Sequence, residues 1–334
     1  MNSLLQVEDL KVHFPAGRNK DGSPRVVHAV DGISFELEQG KTFGIVGESG
    51  SGKSTAALGI MRLAPITSGR VALGRDVLSD LEGEALRQKR VRFQMVFQDP
   101  FSSLNPRKRA GDAIREPLDL MNYIDPMMRP EVVEESLVAV GLHPSAARLF
   151  PHQFSGGQRQ RLCIARALAT QPELLVCDEP VSALDVAIQA QVINLLLRLQ
   201  EEKKLSYVFI SHDLAVVQHL CTDVGVMYLG QFAEKGSAKQ IFSNPRHPYT
   251  WSLMAAALKP DASQRGRERT ALIRGEPPSP INPPKGCRFS ARCPFAQERC
   301  HQEAPVLREV ETGHSVACHF TESLEAPLPE LRAA

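Results

Sequence analysis

Residues 47–54 read GESGSGKS, which fits G-x-x-x-x-G-K-[ST] and lies between an apolar run, TFGIV at 42–46, and a helical one, STAALGIMRL. Glycines at this spacing let successive backbone N–H groups close around phosphate oxygens, while Lys53 reaches the β- and γ-phosphates and the Ser54 hydroxyl can ligate Mg²⁺. In LLVCDEP an apolar strand ends in two acids, Asp178 and Glu179. One carboxylate at such an edge can hold Mg²⁺ while its neighbour orients or deprotonates a water that attacks the γ-phosphate. His212 ends the apolar run YVFIS at the same edge, where it suits a γ-phosphate contact, and Gln98 ends FQMVFQ, where an amide could sense metal and water.

A second glycine-rich helix start stands at 154–161, FSGGQRQR. Ser155 is a good N-cap, and Leu162, Ala165 and Ala169 recur at helical spacing, so both glycines lie in the first turn. Bare N–H groups there make another anion site. The phosphate loop, acid pair and histidine already account for one side of a nucleotide, which leaves this site without a duty in its own subunit.

The remaining chemistry-bearing residues are cysteines. Cys163, Cys177 and Cys221 lie singly in apolar runs and read as small core residues. Cys287, Cys293, Cys300 and Cys318 crowd the last fifth of the chain, spaced x5, x6 and x17. Clustered cysteines in a reducing compartment more often bind metal than pair, but these spacings match neither close C-x2-C zinc pairs nor common ferredoxin patterns. With His301, His314 and His319 nearby, zinc, an iron–sulfur cluster and unligated thiols all remain open.

The elements that must position these groups follow a recognisable rhythm. Residues 4–14 and 26–37 read as strands flanking a polar loop, PAGRNKDGSPR. From residue 42, short apolar strands (42–46, 173–178, 206–212) alternate with helices such as VAIQAQVINLLLRLQEEKK, the pattern of a parallel sheet covered on both faces. Residues 102–170 are mostly helical, an insertion within this α/β domain at 1–257. Beyond it, KPDASQRGRERT through EPPSPINPPKG is too proline-rich for regular structure and opens a C-terminal extension, 258–334.

Lys plus Arg is 39 against 38 for Asp plus Glu, without the bulk positive field common in nucleic-acid binders. No apolar run approaches the ~20 residues that span a bilayer, and MNSLLQVEDLKVHF carries acids where a signal peptide has a basic region. The expectation is a soluble, unexported chain that meets a membrane only through a partner.

GESGSGKST, VFQDP, FSGGQRQR, LLVCDEP, SALD and SHD stand in the order found in ATP-binding cassette (ABC) ATPases, which the chain resembles over roughly residues 4–255. The resemblance implies a phosphate-loop NTPase core with an antiparallel β subdomain and an inserted helical subdomain, two copies closing face to face over two ATP molecules. It implies that Ser49, Gly50, Gly52, Lys53, Ser54 and Thr55 contact phosphates, with Ser54, Gln98 and Asp178 on the Mg²⁺ side. Glu179 then resembles the catalytic base, His212 the γ-phosphate switch and Gln98 the coupling glutamine. Ser155, Gly157 and Gln158 would hold the γ-phosphate of nucleotide bound by the opposite subunit, and Asp185 would make contact across the dimer. Phe14 matches an adenine-stacking aromatic that is tyrosine in many members.

SLNPR, DEPVSALDVAIQAQV, YVFISHDLAVV, NPRHPYT and PPSPINPP are similar to the ATPase subunits of bacterial dipeptide and oligopeptide importers, a resemblance that covers nearly the whole chain. It implies ATP hydrolysis coupled to peptide uptake by a peripheral protein on the cytoplasmic face of the bacterial inner membrane. The partners implied are a paralogous ATPase in a heterodimer, two integral-membrane permeases and an external peptide-binding protein, with no nucleic acid. It also implies a [4Fe–4S] cluster on Cys287, Cys293, Cys300 and Cys318. The alternatives are the same role with nickel, glutathione or another peptide-like cargo, or a non-transport cassette that acts on nucleic acid or a ribosome.

Overall fold

The computed structural model describes residues 3–19, 21–257 and 278–326. Two long strands, β1 (Ser3–Arg18) and β2 (Pro24–Glu38), pair antiparallel before a short strand, β3 (Thr42–Val46), that is buried at every position. β4 (Ser68–Leu73) and β5 (Asp76–Val77) return to the first sheet, whose order is β2-β1-β4-β5. β6 (Phe93–Val96), β7 (Leu174–Asp178), β8 (Ser206–Ile210) and β9 (Asp223–Tyr228) run parallel with β3 in the order β6-β7-β8-β3-β9. The antiparallel β10 (Gln231–Ser237) follows, and a C-terminal hairpin, β11 (Arg308–Glu311) and β12 (His314–Val316), lengthens this sheet through β12.

The continuous apolar character of β3, β7 and β8 has its cause here: helices cover both faces of the parallel sheet, and no position of these strands meets water. The two sheets meet through aromatic rings, with Phe35 of β2 stacked on Phe43 of β3 at a centroid distance of 4.1 Å. Between β6 and β7 the chain is helical, as its periodicity predicts, with helices Ala110–Met121, Arg129–Ala139 and Gly156–Leu168. Ile114, Leu118, Leu137 and Leu162, all at 0% exposure, form the centre of this subdomain. Truncating one of them to alanine costs about 2–5 kcal/mol.

Cys163, Cys177 and Cys221 are buried as expected, and burial pushes the Cys163 thiol up to about 11 and the Cys177 thiol to about 12. They are inert packing groups. β4, β9, β10 and the C-terminal hairpin lie beyond the strands read from the sequence. The expected irregular stretch KPDASQRGRERT lies outside the described residues.

Candidate nucleotide site

The phosphate loop leaves β3 and enters helix Lys53–Ile60 through Gly52, which has a φ of 104° and makes no side-chain cap. A Cβ on Gly52 would stand 2.0 Å from the Ala29 carbonyl, and one on Gly47 would stand 2.2 Å from that of Met227. Only glycine lets the loop press this closely on its neighbours. With no side chain capping them, the first-turn N–H groups are free for an anion. Lys53 Nζ donates to the carbonyls of Gly47 at 2.9 Å and Glu48 at 2.8 Å. Burial lowers the pKa of this ammonium, an effect opposed by the carboxylates of Glu179, Asp178 and Glu48.

The Ser54 hydroxyl donates to Asp178 Oδ1 at 3.0 Å. Burial raises the pKa of the Asp178 carboxyl, the Ser54 hydrogen bond opposes this, and the neighbouring Glu179 adds to it. Hydroxyl and carboxylate oxygens side by side beneath a phosphate site are the hard donors that Mg²⁺ takes, so the residues present fit that ion. Glu179 follows β7 in the left-handed region, at a φ of 46°, with its N–H donating to Ile210 O at 3.0 Å. Its Oε2 accepts from Gln98 Nε2 at 2.8 Å and lies 3.2 Å from His212 Nδ1. Groups from β6, β7, β8 and the phosphate loop therefore meet at the carboxyl edge of the sheet.

Ser49, Gly50, Gly52, Lys53, Ser54, Thr55, Gln98, Glu179 and His212 line one cleft of about 630 Å³. Ser155, Gly157, Gln158 and Asp185 are not among its lining residues. Ser155 is exposed and caps its helix: its hydroxyl accepts from Gln158 N–H at 3.3 Å, and its own N–H donates to Gln158 Oε1 at 3.0 Å. Asp185 caps helix Val186–Lys203 through Ile188 N–H at 2.9 Å. A Cβ on Gly157 would come within 2.4 Å of Ile188 Cγ2, so this glycine lets the two helices approach. Phe14 faces Val27 in the β1–β2 ladder, half-buried against the core, and does not line the cleft. Val27, Ala29 and Pro280 line it instead, and the sequence reading missed all three.

A family model described as "ABC transporter" matches residues 30–182, and one described as "Oligopeptide/dipeptide transporter, C-terminal region" matches residues 233–300. The oligopeptide transport ATP-binding protein AppF of Bacillus subtilis (strain 168) is 51% identical over 326 residues, covering 95% of this chain and 97% of its own. The chain belongs to the ABC transporter ATPases. The dipeptide transport ATP-binding protein DppF of Escherichia coli (strain K12) is 47% identical over 326 residues, covering 97% of this chain and 96% of its own. Among solved structures, the dimeric post-hydrolysis state of the ATP-binding cassette MJ0796 bound to ADP and Pi is 27% identical, with a TM-score of 0.62, covering 70% of this chain and 98% of that one.

In this ABC ATPase the C-terminal residues fold back onto the nucleotide site. Arg292 pairs with Glu48 of the phosphate loop, with contacts of 2.9 and 3.2 Å. Arg288 holds Asp31 and the Leu229 carbonyl. Asp31 also accepts from His13 Nε2 at 2.8 Å and lies 3.4 Å from His28 Nδ1, a two-histidine, one-acid group whose carboxylate Arg288 already neutralises. Cys287, Cys293, Cys300 and Cys318 converge on one small cavity beside Phe289. Burial, together with the charge of the neighbouring thiols, pushes Cys287 up to about 11 and Cys293 to about 12. Among the described residues no three of these sulfurs lie within 4.8 Å of one another.

No helix of the described residues is long and apolar enough to cross a membrane.

Proposed function

We propose that this ABC ATPase energises an importer of dipeptides and oligopeptides. The observation that carries the reading is the meeting of Gln98, Glu179 and His212 over Lys53 and Ser54 in one cleft, with Asp178 buried behind Ser54 and hydrogen-bonded to it, in a chain whose relatives are named as transporting such peptides. The γ-phosphate sits against Lys53 and His212. Glu179 takes a proton from the attacking water as its oxygen bonds phosphorus and ADP leaves, and Gln98 holds the carboxylate in place. Ser54, Asp178 and Gln98 would hold Mg²⁺, which when bound would supply charge neutralisation at the phosphates.

Ser155, Gly157, Gln158 and Asp185 complete the site of an opposing cassette, a paralogous ATPase in a heterodimer. Their places outside this chain's own cleft support that division. The helical subdomain exposes Phe101, Leu120, Tyr123, Met127 and Met128, from 41% to 87%, a surface suited to the cytoplasmic ends of two permeases. An external peptide-binding protein selects the cargo, and the permeases hold the ATPase at the membrane. The 1–257 cassette carries both hydrolysis and the permease surface, and the 258–334 extension carries the four cysteines.

Cys287, Cys293, Cys300 and Cys318 hold a [4Fe–4S] cluster. Four cysteine thiols lining one cavity are the soft sulfur donors that such a cluster takes. When bound, the cluster cross-links separate segments of a C-terminal region poor in apolar residues.

The test is reconstitution of the ATPase, its partner cassette and both permeases in vesicles with the binding protein outside. A labelled dipeptide or oligopeptide should accumulate only with ATP inside. ATP-driven uptake of nickel or glutathione with no peptide uptake would refute the cargo.

A further inference from the structure

His13 of β1 and His28 of β2 face each other in the antiparallel ladder, their ring centroids 4.2 Å apart. Asp31 stands three residues beyond His28, an odd separation that on a regular strand would put it on the other face. The ladder breaks its register between them: Val12 pairs with Val30 and His13 with His28, so Ala29 is an extra residue on β2. Such a bulge re-aims the side chains beside it. His13 Nε2 lies 2.8 Å from Asp31 Oδ1, and His28 Nδ1 lies 3.4 Å from Asp31 Oδ2. One nitrogen of each histidine and one carboxylate oxygen stand within 4.8 Å of one another. His28 Nδ1 is shut off from water and has only its long contact with Asp31 to satisfy it. The His28 side chain as a whole is 27% exposed, so the group is open to solvent.

We propose that His13, His28 and Asp31 form a binding site for a divalent transition-metal ion of the Zn²⁺ and Co²⁺ class, separate from the nucleotide's Mg²⁺. Two imidazole nitrogens and a carboxylate oxygen suit such ions, whereas Mg²⁺ takes oxygen ligands. Arg288 leaves the site open, because it holds Oδ2 of Asp31 while Oδ1 accepts from His13 Nε2. Anchored also at the Leu229 carbonyl, the guanidinium fixes the carboxylate from outside the ligand set. Its charge opposes that of the ion, which makes the site an exchangeable one. On loading, the ion takes the place of the proton between His13 and Asp31, and that proton passes to solvent. The ion would fasten β1 to β2 beside the point where His28 N–H donates to Pro280 O at 3.0 Å, at the seam with the C-terminal region.

The test is anaerobic equilibrium dialysis of Co²⁺ against the full chain, without nucleotide and with Mg²⁺ in excess to fill oxygen-lined sites. His13→Gln and His28→Gln each remove one ligand, and His219→Gln alters an exposed histidine outside the group. The parent and His219→Gln should take up about one Co²⁺ more than either ligand variant, whose Kd at this site rises at least about ten-fold. The extra ion should show weak visible bands without thiolate charge transfer. Equal uptake by the parent and the two ligand variants, or a difference carried by thiolate bands, overturns the site. A second measurement needs only the parent: Co²⁺ should shield His13 and His28, but not His219, from acylation by diethyl pyrocarbonate mapped by mass spectrometry. Acylation of His13 and His28 at the same rate with and without Co²⁺ overturns the site as well.

Discussion

Arg292 grips Glu48 with both terminal nitrogens, joining the cysteine-rich region to the residue that follows the first glycine of the phosphate loop. The Arg292 side chain is 7% exposed and that of Glu48 24%. Glu48 is held from a second direction, its N–H donating to the Tyr249 hydroxyl at 2.8 Å. The loop that takes phosphate is therefore braced by chain far from it in sequence.

Removing one partner of a buried pair strands the other charge. Glu48→Ala should destabilise the fold by about 3 kcal/mol, read by denaturant unfolding, and Glu48→Ala with Arg292→Met should recover most of the loss. Equal midpoints for parent and Glu48→Ala would show that the pair carries no weight.

Gly157 can be tested for packing separately from catalysis. Gly157→Ala drives a methyl into Ile188 Cγ2 and should cost about 1–3 kcal/mol of stability. Ile188→Ala in the same chain should restore the midpoint, and residual loss of ATPase activity in the double variant would then measure the duty of the glycine toward nucleotide. A single variant as stable as the parent would contradict the close approach.

Burial raises the pKa of Asp31, but hydrogen bonds from Arg288, His13 and His28 outweigh that and hold it below the ordinary 3.8. A carboxyl lowered by folding contributes stability that is fully present above its unfolded pKa and lost as pH falls through the folded one. The stability gap between the parent and Asp31→Asn should be full at pH 5 and should close as pH drops below about 4. A gap that does not narrow in acid would remove Asp31 from the clamp on the C-terminal region.

Much of the site was legible because its parts are contiguous words. The phosphate loop carries its glycines, lysine and serine in eight residues, and apolar strands point Asp178, Glu179 and His212 to one edge. Val27 and Pro280 were illegible as cleft-lining residues because the segments that carry them meet through a single bridge, Val27 to Ile281, across most of the chain. β10 escaped the reading because Glu234 interrupts its apolar pattern while being wholly buried. Its carboxylate accepts from Arg246 N–H at 2.7 Å and Thr250 Oγ1 at 2.5 Å and lies 2.7 Å from His314 Nε2 of β12. β11 and β12 are only four and three residues long, too short for an alternating pattern to show, and β12 is held to β10 by that distant contact.

The cluster assignment makes a prediction about composition. Anaerobically purified parent protein should contain about four irons per chain and absorb in the visible region, and Cys293→Ser should lose both. Zinc in place of iron would refute the cluster.

The most direct test of the account is Glu179→Gln in the ATPase assembled with its partner cassette. Loss of the base should lower ATP turnover by about 10²–10⁴-fold, while ATP binding persists and a closed, nucleotide-filled dimer accumulates. Turnover at the parental rate in that variant would contradict Glu179 as the base and with it the reading of the cleft.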